Sequence, residues 1–341
     1  MRRLVLLLAL SSGCGETVVP AAPLAWIALP ARMQVMRTDH VSASLPGGDV
    51  LVAGADIVTE RWSATTRAFT TVGPTGVSRQ APALAVLVGG GVMLVGGVGD
   101  AGPTAETFHV DNGVWTGTGP LPDPYIDAAA APLDLGAAIV VGGSIEGGWK
   151  GAAIWDVGTR DWGVVAPMSA ARIHPTATRL ADGRTLIVGG NYLVPEAELF
   201  DGRTRLFART GALRTMVRQH TATLLTNGDV VVIGGKAAGD LISGAIQIYR
   251  DGAWTSGGTL ATPRYRHTAT LLPDGRVLVA GGMTTGDVAT ASCEYWNPST
   301  TRATAAPAMH QPRAGHAASE TGDGVLVTGG PDATAELLTT P

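Results

Sequence analysis

Short apolar runs of four or five residues recur along the chain, bounded by glycine, and their alternation is that of β-strands rather than the spacing of amphipathic helices. The clearest unit runs from His267 to Gly282. Its first run, His267 to Leu272, meets Asp274-Gly275, and a second run, Arg276 to Ala280, ends at Gly281-Gly282. This predicts a tight hairpin, since the second turn residue must accept positive φ.

The hairpin recurs almost from end to end. Doublets or their variants close it at Gly54-Ala55, Gly96-Gly97, Gly142-Gly143, Gly189-Gly190, Gly234-Gly235, Gly281-Gly282 and Gly329-Gly330, spaced by 42, 46, 47, 45, 47 and 48 residues. A turn glycine precedes each: Gly48, Gly90, Gly136, Gly183, Gly228 and Gly275 by six residues, Gly324 by five. After each doublet comes an acidic position (Glu60, Glu106, Glu198, Glu294, Glu336), replaced by Ala153 and Gln247 in two repeats. A large residue follows two positions later (Trp62, Phe108, Trp155, Phe200, Tyr249, Trp296, Leu338), and most repeats then carry a second one (Phe69, Trp115, Trp162, Phe207, Trp254). Each unit therefore holds four short strands, a to d, in about 45 residues. Such a sheet cannot bury both its faces alone, and radial stacking solves the problem.

The doublet ending strand b, the acidic and aromatic pair in strand c, the Trp of strand d and the leading Arg264 and His267 resemble the Kelch repeat. The resemblance covers Trp26 to Leu338 and implies an all-β fold, a seven-bladed Kelch β-propeller of the kind found in galactose oxidases, with four antiparallel strands per blade. A six-bladed ring is the rival if Gly54-Ala55 does not mark a blade. The last repeat stops at Pro341 before any strand d. Trp26 stands 14 residues before His40, as Trp254 stands 13 before His267, so Leu24 to Leu29 is expected to supply the missing outer strand and close the ring.

Composition adds that 47 glycines and 15% charged residues suit short buried strands, and that a net charge of −4 carries no nucleic-acid footprint. Residues 1–13, with Arg2, Arg3 and the apolar run Leu4 to Leu10, resemble a bacterial secretory signal. Ser11-Ser12-Gly13-Cys14 is similar to a lipobox. The resemblance implies a lipidated Cys14, a tether over residues 14–23, one propeller domain over 24–341 and an exported lipoprotein at the outer membrane or cell surface. Against the usual pattern, Ser11 stands where Leu is common. An ordinary secretory signal, giving a periplasmic or secreted protein, is the alternative. Cys293 is the other cysteine of the chain, so no disulfide framework is expected. No apolar stretch near 18 residues is present, so membrane contact is expected only through the anchor, on a monomeric protein.

For chemistry, His40, His174, His220, His267 and His316 stand at what reads as one repeated position. A residue repeated once per blade more often makes one repeated hydrogen bond than a metal ring. The repeated Glu is expected to be paired with an Arg or backbone amides. A copper radical oxidase needs two Tyr, two His and a Tyr cross-linked to Cys, whereas Cys293 lies two residues from Tyr295 on one strand. No cofactor or metal is therefore expected. Tyr125, Asp127, Trp149, Lys150, Asn191 and Tyr192, where the repeat is broken, are the candidate ligand face for a protein or carbohydrate ligand, with the channel mouth near Arg218, Arg264 and Arg313 as the fallback. The expected function is a non-catalytic binding module. The alternative is a Kelch-type carbohydrate-active enzyme, of the sugar oxidase or sialic-acid mutarotase class.

Overall fold

A computed structural model of the chain describes residues 24–99, 102, 104–143 and 149–339. The expected signal, the lipidation site Cys14 and the expected tether lie outside the described residues. Seven four-stranded antiparallel sheets form the ring, joined by almost no helix. Blade 6 is representative: strands Thr268–Leu271, Val277–Ala280, Cys293–Asn297 and Arg302–Ala306 pair in that order. The degenerate Gly54-Ala55 doublet does end the second strand of a blade, Val50–Ala53. Seven is therefore the blade number. In the last blade the turn glycine is Gly322, at φ 83, while Gly324 begins the next strand.

Closure follows the register of the aromatic pairs. In the outer hairpins Trp62 faces Phe69, Phe108 faces Trp115, Trp155 faces Trp162, Phe200 faces Phe207 and Tyr249 faces Trp254. In the last blade Leu338 faces Trp26, because the amino-terminal strand Ala25–Ala28 pairs with Ala335–Thr339. Trp26 thus fills the strand d position, and its indole N–H donates to Pro307 O of the preceding blade at 2.9 Å. Other indoles tie blades similarly, Trp115 to Thr59 Oγ1 and Trp162 to Thr118 Oγ1, both at 3.0 Å.

The core lies between blades rather than inside them. The second strands are buried along their whole length, and each apolar cluster joins neighbouring sheets, as where Leu278, Cys293 and Tyr295 pack with Trp26, Val325 and Leu338. Cys293 is covered by the closing strand and is 3% exposed. Deleting residues 15–30 in a Cys14→Ser chain is expected to lower stability by several kcal/mol, since burying one large aromatic contributes about 1.5–3. The Cys293 thiol is expected to become reactive toward a disulfide reagent under native conditions. An unchanged melting curve and an unreactive Cys293 would show that the ring closes without this strand.

Candidate functional site at the channel mouth

The connection from strand d to the next strand a carries an ordered series of residues. In blade 6 it reads Arg264, Tyr265, Arg266, His267, and the three chemical roles separate by position. The first residue points into the blade. Arg37, Arg79, Arg172, Arg264 and Arg313 are buried and pair with Glu60, Glu106, Glu198, Glu294 and Glu336 of the same blade at 2.6–3.1 Å. Their guanidiniums also donate to backbone carbonyls, Arg264 to Gly281 O and Ser292 O at 2.8 and 2.7 Å. The carboxylates accept backbone N–H groups from the incoming connection, as Glu294 does from Ala261 and Thr262. The repeated Glu thus has the partners expected of a buried carboxylate. Arg264 and Arg313, expected near the mouth, are instead locked in these clamps, and only Arg218 of that set is partly exposed at the mouth.

The fourth residue pins one blade to the previous one. His40, His220, His267 and His316 share hydrogen bonds through Nε2 with Thr328, Thr176, Thr221 and Thr268 at 2.9–3.1 Å. Each is buried. Gly281 needs its missing side chain here: an added Cβ would lie 2.5 Å from Arg313 O and 2.8 Å from His316 Cε1. Burial first, and the neighbouring arginines next, push these four imidazoles down to about 3, so they are neutral.

His174 does not belong to that set. Pro175 occupies the pinning position in blade 4, and His174 falls one residue earlier, at the third position. The third positions are Asp39, Ala81, Asp127, His174, Gln219, Arg266 and Gly315. All have φ between 48 and 60°, which turns them toward the axis. Backbone N–H groups link neighbours around the mouth, from Asp39 to Gly315 O, Gly315 to Arg266 O, Arg266 to Gln219 O and His174 to Asp127 O, at 2.7–3.2 Å. These residues line a recess of about 380 Å³. Sequence spacing alone hid this ring, because a one-residue offset separates a buried pin from a channel-facing side chain.

Its side chains form a polar circuit. His174 Nδ1 lies 3.5 Å from Asp127 Oδ1, and Gln219 Nε2 lies 3.4 Å from His174 Nε2, so the neutral tautomer carries its proton toward Asp127. Burial holds the imidazole below its usual range, opposed by Asp127 and reinforced by Arg218 and Arg266. Arg266 reaches past blade 7 to Asp39, which Gly315 permits: a Cβ there would sit 2.7 Å from both groups.

Of the other expected ligand residues, Tyr125 is buried at the clamp position of blade 3, opposite the small Ala153. Trp149 packs against the blade 2 and 3 cluster, and Lys150 is exposed. Asn191 shapes its own loop, donating to Ala171 O and accepting from Leu193 and Val194 N–H. Tyr192 lies under the Arg218 guanidinium, 5.3 Å from its ring centre. Asp127 is the one that reaches the ring.

No family model matches the chain, and no curated protein does. Among solved structures, the fold is similar to "Novel fungal alcohol oxidase with catalytic diversity among the AA5 family, in complex with copper", with a TM-score of 0.76 and 15% identity over 94% of this chain and 77% of that one. It is also similar to "Structure of YjhT", at TM-score 0.63 and 14% identity over 82% of this chain and 99% of that one. These are likenesses of fold, to galactose-oxidase-like and Kelch-type propellers. The expected non-catalytic binding module is corrected at this point: a protein of this fold is an alcohol oxidase, so the fold itself gives no ground for a non-catalytic reading.

The residues present do not fit a copper radical centre. Among the described residues no three of His, Cys, Asp or Glu converge as a metal site. Tyr265 donates to Asp287, Tyr249 packs on Trp254 and Tyr295 lies under Arg276. Cys293 is buried with Trp26, Met309 and Leu338 in the core between blades 6 and 7, away from the channel mouth.

The four buried histidines give a stability test. The unfolded chain binds protons from pH 6.5 downward while the folded imidazoles stay neutral to about 3, so stability is full above 6.5 and falls as pH drops through that window. Each histidine contributes a slope of up to about 1.4 kcal/mol per pH unit. Urea unfolding at pH 7, 5.5 and 4.5 is expected to show this fall, with a shallower slope for His267→Gln. A midpoint independent of pH across that range would contradict it.

Proposed function

We propose that the chain is a carbohydrate-active enzyme that interconverts sugar anomers by proton transfer at the channel mouth, without redox chemistry. The observation supporting this is the His174 circuit: a neutral imidazole held between Asp127 and Gln219 in a recess of sugar size. His174 Nε2 exchanges its long contact with Gln219 for the anomeric hydroxyl and takes its proton. The bond from the anomeric carbon to the ring oxygen then breaks, and the imidazolium returns the proton to that oxygen. Asp127 stabilises the transient cation, while the Gln219 amide released from His174 donates to the ring oxygen as charge develops. Rotation about the opened bond and the reverse steps give the other anomer. Atoms and electrons balance with no co-reactant.

The same reading takes the chain as exported and held to a membrane through Cys14. Strand Ala25–Ala28 begins on the face opposite the mouth, beside Thr339, so an anchor there leaves the mouth turned outward.

Exchange spectroscopy by NMR on a panel of aldoses, ketoses and sugar acids tests the activity. His174→Asn is expected to lower the catalysed exchange rate about 10²–10⁴-fold, and Asp127→Asn to lower it less, with melting temperatures unchanged. Because the imidazole titrates below 6.5, the rate is expected to be level at neutral pH and to fall in acid as the base is protonated. A wild-type chain inert toward the whole panel, or a fully active His174→Asn variant, would overturn the reading.

A further inference from the structure

Beside the mouth, blade 5 carries two cations at a bridge position that is uncharged in blades 2 and 6. Arg218 and Lys236 are direct bridge partners, exchanging backbone hydrogen bonds at 3.0 and 2.8 Å. The corresponding bridges pair Gln80 with Val98 in blade 2 and Tyr265 with Met283 in blade 6, all uncharged. Like charges placed directly opposite on a sheet repel and destabilise it.

Both cations are held in place from below by aromatic rings. Arg218 lies over Tyr192, and Lys236 Nζ is 4.3 Å from the ring centre of Tyr265. Their present counter-ions are single carboxylates on loop tips, Asp240 at 2.6 Å and Asp287 at 3.7 Å, whose side chains are 62% and 68% exposed. Such exposed pairs are weak and easily exchanged. Arg218 contacts Asp240 through Nη2, and its side chain is 29% exposed. Arg218 also acts on His174. Arg218 directly precedes Gln219 of the mouth ring, so it stands beside the reacting position.

We infer that Arg218 and Lys236 form an anion subsite that takes a doubly charged oxyanion substituent of the sugar, a phosphate or sulfate ester. As direct bridge partners the two side chains leave the same side of the strand pair, so one dianion can meet both cations, which neither loop-tip aspartate does. The assignment of this anion to the substrate rests on the acid–base reading of the mouth; anion binding itself does not.

Calorimetric titration of the folded chain with inorganic phosphate and, separately, a hexose phosphate, at fixed ionic strength, tests this. Arg218→Gln and Lys236→Gln are each expected to weaken binding of both by about tenfold, the loss of one charge-assisted contact, and the double variant by more. Acetate at equal concentration is expected not to compete. His174→Asn should keep phosphate affinity while losing anomer exchange, which separates failure of this subsite from failure of the mouth reading. Tighter binding of the ester than of free phosphate supports a substrate substituent. Binding of free phosphate alone overturns that assignment, and wild-type affinity in a double variant of unchanged melting temperature overturns the subsite.

Discussion

The buried pairing of arginine with glutamate is the constraint on which the ring depends. A guanidinium and a carboxylate removed from water must satisfy each other and their remaining hydrogen-bonding groups, and removing one partner of such a pair typically costs about 3–5 kcal/mol. In blades 1, 2, 4, 6 and 7 the pair ties the incoming connection to strand c of the same blade. Two residues after each arginine the backbone turns to positive φ and presents a side chain to the axis. In these five blades the clamp thus anchors the connection that carries the residue aimed at the channel mouth.

The proposed site falls where this device is altered. Blade 3 replaces the pair by Tyr125 and Ala153, and blade 5 by Val217 and Gln247, whose amide takes over the contacts to Thr215 N and O. Those blades contribute Asp127 and Gln219. Between them blade 4 keeps its clamp but has Pro175 in place of the histidine pin, and contributes His174. Three neighbouring departures from the repeat converge on one imidazole.

Much of this was legible in the sequence. Spacing of the glycine doublets set the blade count, and the aromatic pairs placed Trp26 in the last sheet, because both follow from backbone geometry repeated in register. The site was only partly legible. Asp127 and Tyr192 stood out as departures from the repeat, but so did Tyr125, Trp149 and Asn191, which serve packing or loop shape. His174 was grouped with the buried histidines because a single-residue offset reverses the direction of a side chain, and Arg218 was not distinguished from the clamp arginines Arg264 and Arg313. Burial and direction depend on contacts between blades some 45 residues apart, which local pattern does not encode.

Under the proposed mechanism His174, among the histidines of the connections, is the one that meets ligand. Imidazole resonances of the histidine-labelled chain, assigned by substitution and followed during addition of a sugar found active in the exchange panel, test this. The His174 signals are expected to shift with ligand while those of His40, His220, His267 and His316 stay those of neutral, immobile rings. A ligand-dependent shift confined to the four buried rings, with His174 unmoved, would contradict it.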